Sequence, residues 1–376
     1  MEKSYAPVLE AIAHKGCLRH IPDIDHRTGL YALLHGQPCL NFSSNDYLAL
    51  STNTALRDAF FQAHGHDAEC LFSSASARLL SGSSQIYATL EAELAALFGK
   101  EACLLFNTGY QCNLGVVSAL VGKGDVIFSD KLNHASVVAG MQLSGAAFYR
   151  YAHCDYEHLE HFLREQRGNY GRALIISESV FSMDGDVADI DRLIALKKRY
   201  NCLLMIDEAH AFGVFGEHLA GLSEGKEVDV ITATLGKSLA SMGAFCVASR
   251  LIIDVLINKA ASFIFSTALP PINILWTYFL LHEHRALLYA QREKLVQLCT
   301  ALGSRTQIIP VLIGESDAAA RIAQRLREAH YFVLPIRPPT VPAHSARLRI
   351  SLTADMTPAL VQGLLDHIRR LQEEDC

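Results

Sequence analysis

No stretch of the 376-residue chain approaches the ~20 consecutive apolar residues of a membrane-spanning helix, although half of its residues are hydrophobic. The N-terminal segment MEKSYAPVLEAIAHKG also lacks the apolar stretch of a secretory signal, so a soluble, cytoplasmic protein without a membrane partner is expected. A basic excess is missing too. The 33 Lys and Arg against 39 Asp and Glu leave a net charge of −6 with no basic cluster, which argues against a nucleic-acid partner. An anionic ligand would therefore need a local pocket. The ten cysteines stand singly from Cys17 to Cys376 with no CxxC pair, and read as reduced core thiols. His64 and His66, His158 and His161, and His282 and His284 lie close in sequence. None has a Cys or acidic partner at a zinc spacing, so no bound metal is expected. Repeats and low-complexity tracts are absent as well.

What is present is a regular alternation. From about residue 85, helical patterns (IYATLEAELAALFG, YQCNLGVVSALVG, HASVVAGMQLSG, EHLEHFLREQ, DIDRLIALKKRY) alternate with short apolar runs (ACLLF, DVIFS, ALIISES, CLLMIDEA), followed by DVITATLG and AFCVAS. Such alternation specifies crossover units, hence an α/β fold with a mainly parallel sheet and helices on both faces. Polar residues just after the strands then fall at the carboxyl edge, where open α/β sheets bind ligands. The two prolines of SFIFSTALPP end this region. A long apolar helix, INILWTYFLLHEHRALLYAQREKLVQLCTALG, is expected to bridge into a small C-terminal α+β domain built from IIPVLIG, AAARIAQRLREAH, FVLPIR, RLRISLT and TPALVQGLLDHIRRLQ. The expected organisation is an N-terminal segment over 1–50, a large domain over 51–272, and the bridging helix with the small domain over 273–376.

The chemistry centres on Lys237 in TATLGKSLASMGA, thirty positions after Asp207 in LLMIDEAHAFG. Pyridoxal phosphate catalysis needs a lysine that holds the aldehyde as a Schiff base and a carboxylate that keeps the pyridine nitrogen protonated, and these two residues suit those roles. The small, weakly polar surroundings of Lys237 favour its neutral, nucleophilic form. DEAH is also an ATPase motif, but a P-loop needs GxxxxGK[ST] upstream. Here GKS follows DEAH, and Ile231 stands in place of the first glycine. Phosphate donors are expected from Thr234 and from LLFNTGYQCN, where Gly109 permits close approach and the helix opening near Tyr110 presents free N–H groups. His134 in SDKLNHAS follows a strand and suits stacking on a planar ring. Ser182 in SVFSMDGD follows another and suits a hydrogen bond to the cofactor.

These stretches, with LNFSSNDYLAL, SARLLSGSSQIYATLEAELA, FSTALPP and IRPPTVPAHSARLRISLTA, span nearly the whole chain and resemble the α-oxoamine synthases. These are pyridoxal phosphate enzymes of fold type I, the aspartate aminotransferase-like fold, and they join an amino acid to an acyl-CoA with loss of CO₂. The IRPPTVP…RLR segment is most similar to the branch acting on small-molecule substrates L-alanine and a pimeloyl thioester, rather than glycine with acetyl-CoA or serine with a long-chain acyl-CoA. The resemblance implies that Lys237 carries the cofactor, Asp207 pairs with the pyridinium nitrogen and His210 contacts the ring hydroxyl. His134 would stack on the ring beside the substrate, Ser182 would touch the cofactor, and Gly109, Tyr110 and Thr234 would bind its phosphate. Ser266 or Thr267 is implied to reach the phosphate of a neighbouring subunit, which makes the protein an obligate homodimer. Arg349 is implied to hold the amino-acid carboxylate with Asn45 nearby, while Arg19 and Thr340 match acyl-substrate positions. The chain departs from the family twice. SSASAR stands where a Gly-rich GSGGSR loop is usual, with Ala77 before Arg78, and Ala261 and Ser262 replace a common arginine and proline.

Overall fold

A computed structural model describes residues 2–374, which fall by contact into two compact units. Among the described residues one comprises 2–53, 183–185 and 293–374, the other 54–182 and 186–292. No helix among the described residues is long and apolar enough to cross a membrane. Nine described cysteines are free thiols, and Cys376 lies outside the described residues.

The first unit begins with helix α1 (Ala6–His14) and the antiparallel strands β1 (His26–Thr28), β2 (Tyr31–Leu34) and β3 (Gln37–Asn41). The second unit carries α2 (Thr54–His64), α3 (Gln85–Leu97), β4 (Ala102–Phe106), α4 (Gly109–Leu120), β5 (Val126–Asp130), α5 (Ala135–Ser144) and β6 (Ala147–Tyr151). It continues with α6 (Tyr156–Gln166), β7 (Ala173–Glu178), α7 (Ile190–Tyr200), β8 (Leu203–Asp207), β9 (Val230–Thr234), β10 (Ala244–Ala248), α8 (Arg250–Lys259), α9 (Ala261–Ile264) and α10 (Pro271–Tyr278). Its seven strands form one sheet in the order β4-β10-β9-β8-β7-β5-β6, parallel except that β10 runs antiparallel to both neighbours. Strands β4, β5, β7 and β10 are buried along their whole length, as a sheet covered on both faces requires. Ile127, Leu174, Ile176, Met205 and Cys246 share one core with Cys112, Val116 and Val117 of α4, Val137 and Met141 of α5, and Ile253 and Leu256 of α8.

Strand β6 carries no strong apolar signal because it is an edge strand whose residues alternate between half-buried and exposed until the buried Tyr151. The turn after it is pinned by His153, whose Nδ1 lies 3.0 Å from Asp130 Oδ1 and whose Nε2 lies 2.9 Å from Asp186 Oδ2. Burial opposes a charged ring here. Hydrogen bonds to Asp130, Cys154 and Asp186, with the Asp130 charge, outweigh it and raise the pKa to about 11. A cationic group with a raised folded pKa stabilises most below its unfolded value and loses that contribution as pH rises toward the folded one. The gap in thermal midpoint between the wild type and a His153→Asn variant is therefore expected to be widest near pH 6 and to narrow steadily toward pH 11, read by thermal melts across that range.

Two expectations change in the C-terminal third. The long bridging helix is not continuous: after α10 comes a π-helical turn over Phe279–Glu283, in which His284 N–H donates to Phe279 O, and then α11 (Arg285–Ala301). The widened turn coincides with an aromatic cluster, where Phe279 meets Phe60 at 5.5 Å and His284 at 4.2 Å between ring centres. Beyond it the first unit resumes with β11 (Ile308–Gly314), α12 (Ser316–Glu328), β12 (Tyr331–Phe332), β13 (Pro335–Ile336), β14 (Ala346–Ser351) and α13 (Pro358–Glu374). FVLPIR, which reads as one strand, is split between two sheets. Strand β12 pairs parallel with β3, while β13 pairs antiparallel with β14, which also pairs with β11. Between them Leu334 N–H donates to Ser43 Oγ, and Pro335 has no N–H with which to continue the first ladder.

Candidate active site

Gly109, Tyr110, Asn113, His134, Glu178, Asp207, Ala209, His210, Thr234 and Lys237 line one open cavity of about 210 Å³. All ten come from the carboxyl edge of the seven-stranded sheet or the helices and turns that start there. Asp207 closes the apolar strand β8 and is 6 % exposed. Its Oδ2 accepts from Asn113 Nδ2 at 2.7 Å and its Oδ1 from the Ala209 N–H at 2.9 Å. Asn113 is itself oriented by Thr232, whose hydroxyl donates to Asn113 Oδ1.

Lys237 sits in the turn joining the antiparallel strands β9 and β10. Leu235 N–H donates to Gly243 O, Ser241 N–H to Leu235 O, and Ala240 N–H to Lys237 O, which close the turn. Gly243 has φ +119°, and a Cβ there would stand 2.7 Å from Leu269 Cδ2, so this turn needs glycine. Lys237 Nζ lies 2.8 Å from His210 Nε2. His134 caps α5 through its own ring, accepting the Ser136 N–H at Nδ1. Burial, and secondarily the Lys237 charge, hold its pKa below the usual histidine value against the pull of Asp207. The ring is thus a neutral aromatic wall, with Tyr110 edge-on at 6.4 Å.

Helix α4 opens at Thr108, whose hydroxyl accepts the Gln111 N–H, so the N–H groups of Gly109 and Tyr110 fall in the first turn, where a helix has no internal acceptors. A Cβ on Gly109 would lie 3.7 Å from Thr234 Cβ, and the bare backbone keeps that wall open. Thr234 Oγ1 donates to Gly243 O and accepts from Gly236 N–H, so its hydroxyl is tied to its own turn. An amine, a buried carboxylate, a neutral imidazole and a helix N-terminus around one cavity fit the ring, aldehyde and phosphate of pyridoxal phosphate.

Other sequence candidates lie elsewhere. Ser182 is buried in the loop after β7 and does not line this cavity. Ser266 and Thr267 line a second, smaller pocket with Arg78, Asn107 and Ser262, where Ser266 Oγ accepts from Asn107 Nδ2 and Thr267 bridges Ala77. Arg78 forms a two-point ion pair with Glu91 and covers the Tyr87 ring at 4.3 Å. Ala75 in the SSASAR loop has φ +53°, a conformation that the usual glycine adopts more easily. Ser262 Oγ donates to Gln111 O.

In the first unit, Arg349 on β14 is 8 % exposed and donates to Asn45 Oδ1 (3.0 Å), Ser351 Oγ (2.7 Å) and Tyr47 OH (3.2 Å), all neutral oxygens. Its neighbour two positions earlier, Arg347, is ion-paired with Asp184. Arg19 Nη2 donates to Thr340 Oγ1 at 3.0 Å, so two residues 321 positions apart are joined. Asn113 and Glu178 escaped the sequence reading. Glu178 ends the apolar strand β7 as Asp207 ends β8, a signal that was available in ALIISES. A buried asparagine inside the apolar helix pattern YQCNLGVVSAL was the other.

The aminotransferase class I and II family model matches residues 37–368. A protein of Haemophilus influenzae called a putative 8-amino-7-oxononanoate synthase is 44 % identical over 96 % of this chain and 98 % of its own. The 8-amino-7-oxononanoate synthase of Haemophilus ducreyi is 43 % identical, with 96 % and 98 % covered. Among solved structures, a serine palmitoyltransferase of Sphingomonas wittichii superposes with a TM-score of 0.87 at 28 % identity (100 % of this chain, 98 % of that one). The 8-amino-7-oxononanoate synthase of Francisella tularensis does so with 0.73 at 26 % (90 % and 99 %).

Proposed function

The chain belongs to the aminotransferase class I and II family, among the 8-amino-7-oxononanoate synthases, and from this we propose that it condenses L-alanine with a pimeloyl thioester in biotin biosynthesis. A bond forms between the alanine α-carbon and the thioester carbonyl. The carbon–sulfur bond breaks to release the thiol, and the carboxylate leaves as CO₂. The observation that carries this reading is identity of 43–44 % along the full length of proteins bearing that name. The solved serine palmitoyltransferase is similar in fold, but its lower identity of 28 % leaves the first reading in front.

Pyridoxal phosphate, when bound, supplies an electron sink for the bonds around the amino acid's α-carbon. The protein's residues do the rest. Lys237 Nζ holds the cofactor aldehyde, then takes the α-proton and later returns it. The Asp207 carboxylate, fixed by Asn113 and Ala209, keeps the pyridine nitrogen protonated. His210 orients Lys237 and donates to the ring oxygen, His134 covers one ring face, and the first-turn N–H groups of Gly109 and Tyr110 receive the phosphate, with Thr234 behind them. Arg349 with Asn45 receives the amino-acid carboxylate, and Arg19 with Thr340 receives the acyl chain.

The working form is a homodimer in which Ser266 or Thr267 serves the partner's phosphate. In support, Leu71, Phe72, Leu80 and Phe265 are large, exposed apolar side chains, half to more than four-fifths accessible, on segments that the Ala77–Thr267 bridge joins. The direct test adds L-alanine, glycine and L-serine in turn to the loaded protein, then pimeloyl-CoA with thiol release recorded. Alanine is expected to perturb the visible absorption and to support pimeloyl-dependent thiol release. A response confined to glycine or serine would move the protein to a sister reaction.

A further inference from the structure

Glu178 closes β7 and Asp207 closes β8, and the parallel register sets these two residues opposite one another. Both carboxyl groups therefore leave the same edge of the sheet into the same cavity, with residue exposures of 3 % and 6 %. Like charges side by side at a buried sheet edge oppose each other's ionisation.

The surroundings decide which of the two keeps a proton. Asp207 receives two donors, Asn113 Nδ2 and Ala209 N–H. Glu178 Oε1 accepts the His134 N–H at 2.6 Å. Facing Glu178 are Asp207 from β8 and Asp130 from β5, both acidic, and Lys237 from the β9–β10 turn. The neutral His134 ring opens α5 and His210 follows β8. Glu208, the other acid beyond β8, is turned toward Ser179 Oγ and the N–H groups of Leu222 and Ser223. Burial first, then the Asp207 charge, push Glu178 up to about 8 against the opposing effects of Lys237 and the His134 hydrogen bond.

We infer that Glu178 is the proton-carrying member of this carboxyl pair, a neutral positioning residue that holds the His134 main chain and leaves Asp207 as the single anion toward the cofactor ring. This rests on the assignment of Lys237 and Asp207 to the cofactor, and its test is separable from that assignment. The Glu178 proton is retained in the fold above pH 4.5, where an unperturbed glutamate loses it, so folding stability falls as pH rises from 4.5 to about 8. Glu178→Gln, which mimics the neutral acid, is expected to remove that decline.

The deciding experiment is the infrared difference spectrum between the wild type and Glu178→Gln, taken on the loaded protein at about pH 6 and about pH 10. A protonated carboxyl band is expected in the wild type at the lower pH, absent from the variant and lost from the wild type at the higher pH. The visible spectra of the two loaded proteins should coincide at about pH 6 and separate at about pH 10, where the wild type gains a second negative charge beside Asp207. An ionised Glu178 at about pH 6, or a protonated one persisting at about pH 10, would overturn the inference. Should the Gln variant fail to fold, Glu178→Asp must shift the same band, and an unmoved band counts against the proposal. If the infrared result holds but no visible band forms with added pyridoxal phosphate, the cofactor assignment falls and the proton assignment stands.

Discussion

Replacing Lys237 with alanine is expected to lower turnover by at least ~10²-fold, the general-base contribution alone, and to abolish the visible band of the loaded protein. The two losses have separate causes. In the proposed reaction the band depends on a covalent link between Nζ and the cofactor aldehyde, whereas turnover also depends on the same nitrogen moving the α-proton. Lys237→Arg sharpens the test, because a guanidinium keeps the positive charge and bulk beside His210 but does not deprotonate. Both variants should fold, since the turn is closed by main-chain bonds from Leu235, Ala240 and Ser241 rather than by the lysine side chain. Near-normal turnover in either variant would end the assignment of Lys237.

Arg349→Ala is expected to raise the KM for L-alanine by roughly 10- to 150-fold, the equivalent of the 1.5–3 kcal/mol of a hydrogen bond to a charged group, with a smaller change in kcat. Arg349 is preferred to Arg347 on physical grounds. Arg347 is ion-paired with Asp184, while Arg349 donates to the oxygens of Asn45, Tyr47 and Ser351, which fix its guanidinium in a buried setting. Steady-state kinetics with alanine varied at saturating thioester reads the effect. Arg349→Lys separates folding from recognition: it retains the buried charge but loses the planar fork, so an intermediate rise in KM with an unchanged thermal midpoint is expected. A KM for alanine unaltered in both variants would remove Arg349 from the substrate.

Much of this was legible in the chain. The period-3.6 and short apolar patterns located β4, β5, β7, β8, β9 and β10 and the helices between them to within a residue or two, because strands covered on both faces must be continuously apolar. The edge strand β6 escaped for the opposite reason, its Phe148 and Arg150 being exposed and only Tyr151 fully buried. The π-helical turn at Phe279–Glu283 and the division of FVLPIR between two sheets were also invisible, since both depend on partners distant in sequence: Phe60 in one case, Ser43 and the strands β3 and β14 in the other.

The sequence by itself determined the α/β class, the Lys237 and Asp207 pair and the family, because covalent chemistry demands particular residue types and strand ends place them at one edge. Tertiary structure alone decided how each functional group is held and charged. It set Glu178 beside Asp207, bound Thr234 to its own turn, took Ser182 out of the cavity wall and joined Arg19 to Thr340. The physical reason is that a residue's chemistry is written in its identity, whereas its protonation and its hydrogen-bond partners depend on burial and on charges brought near by register between strands.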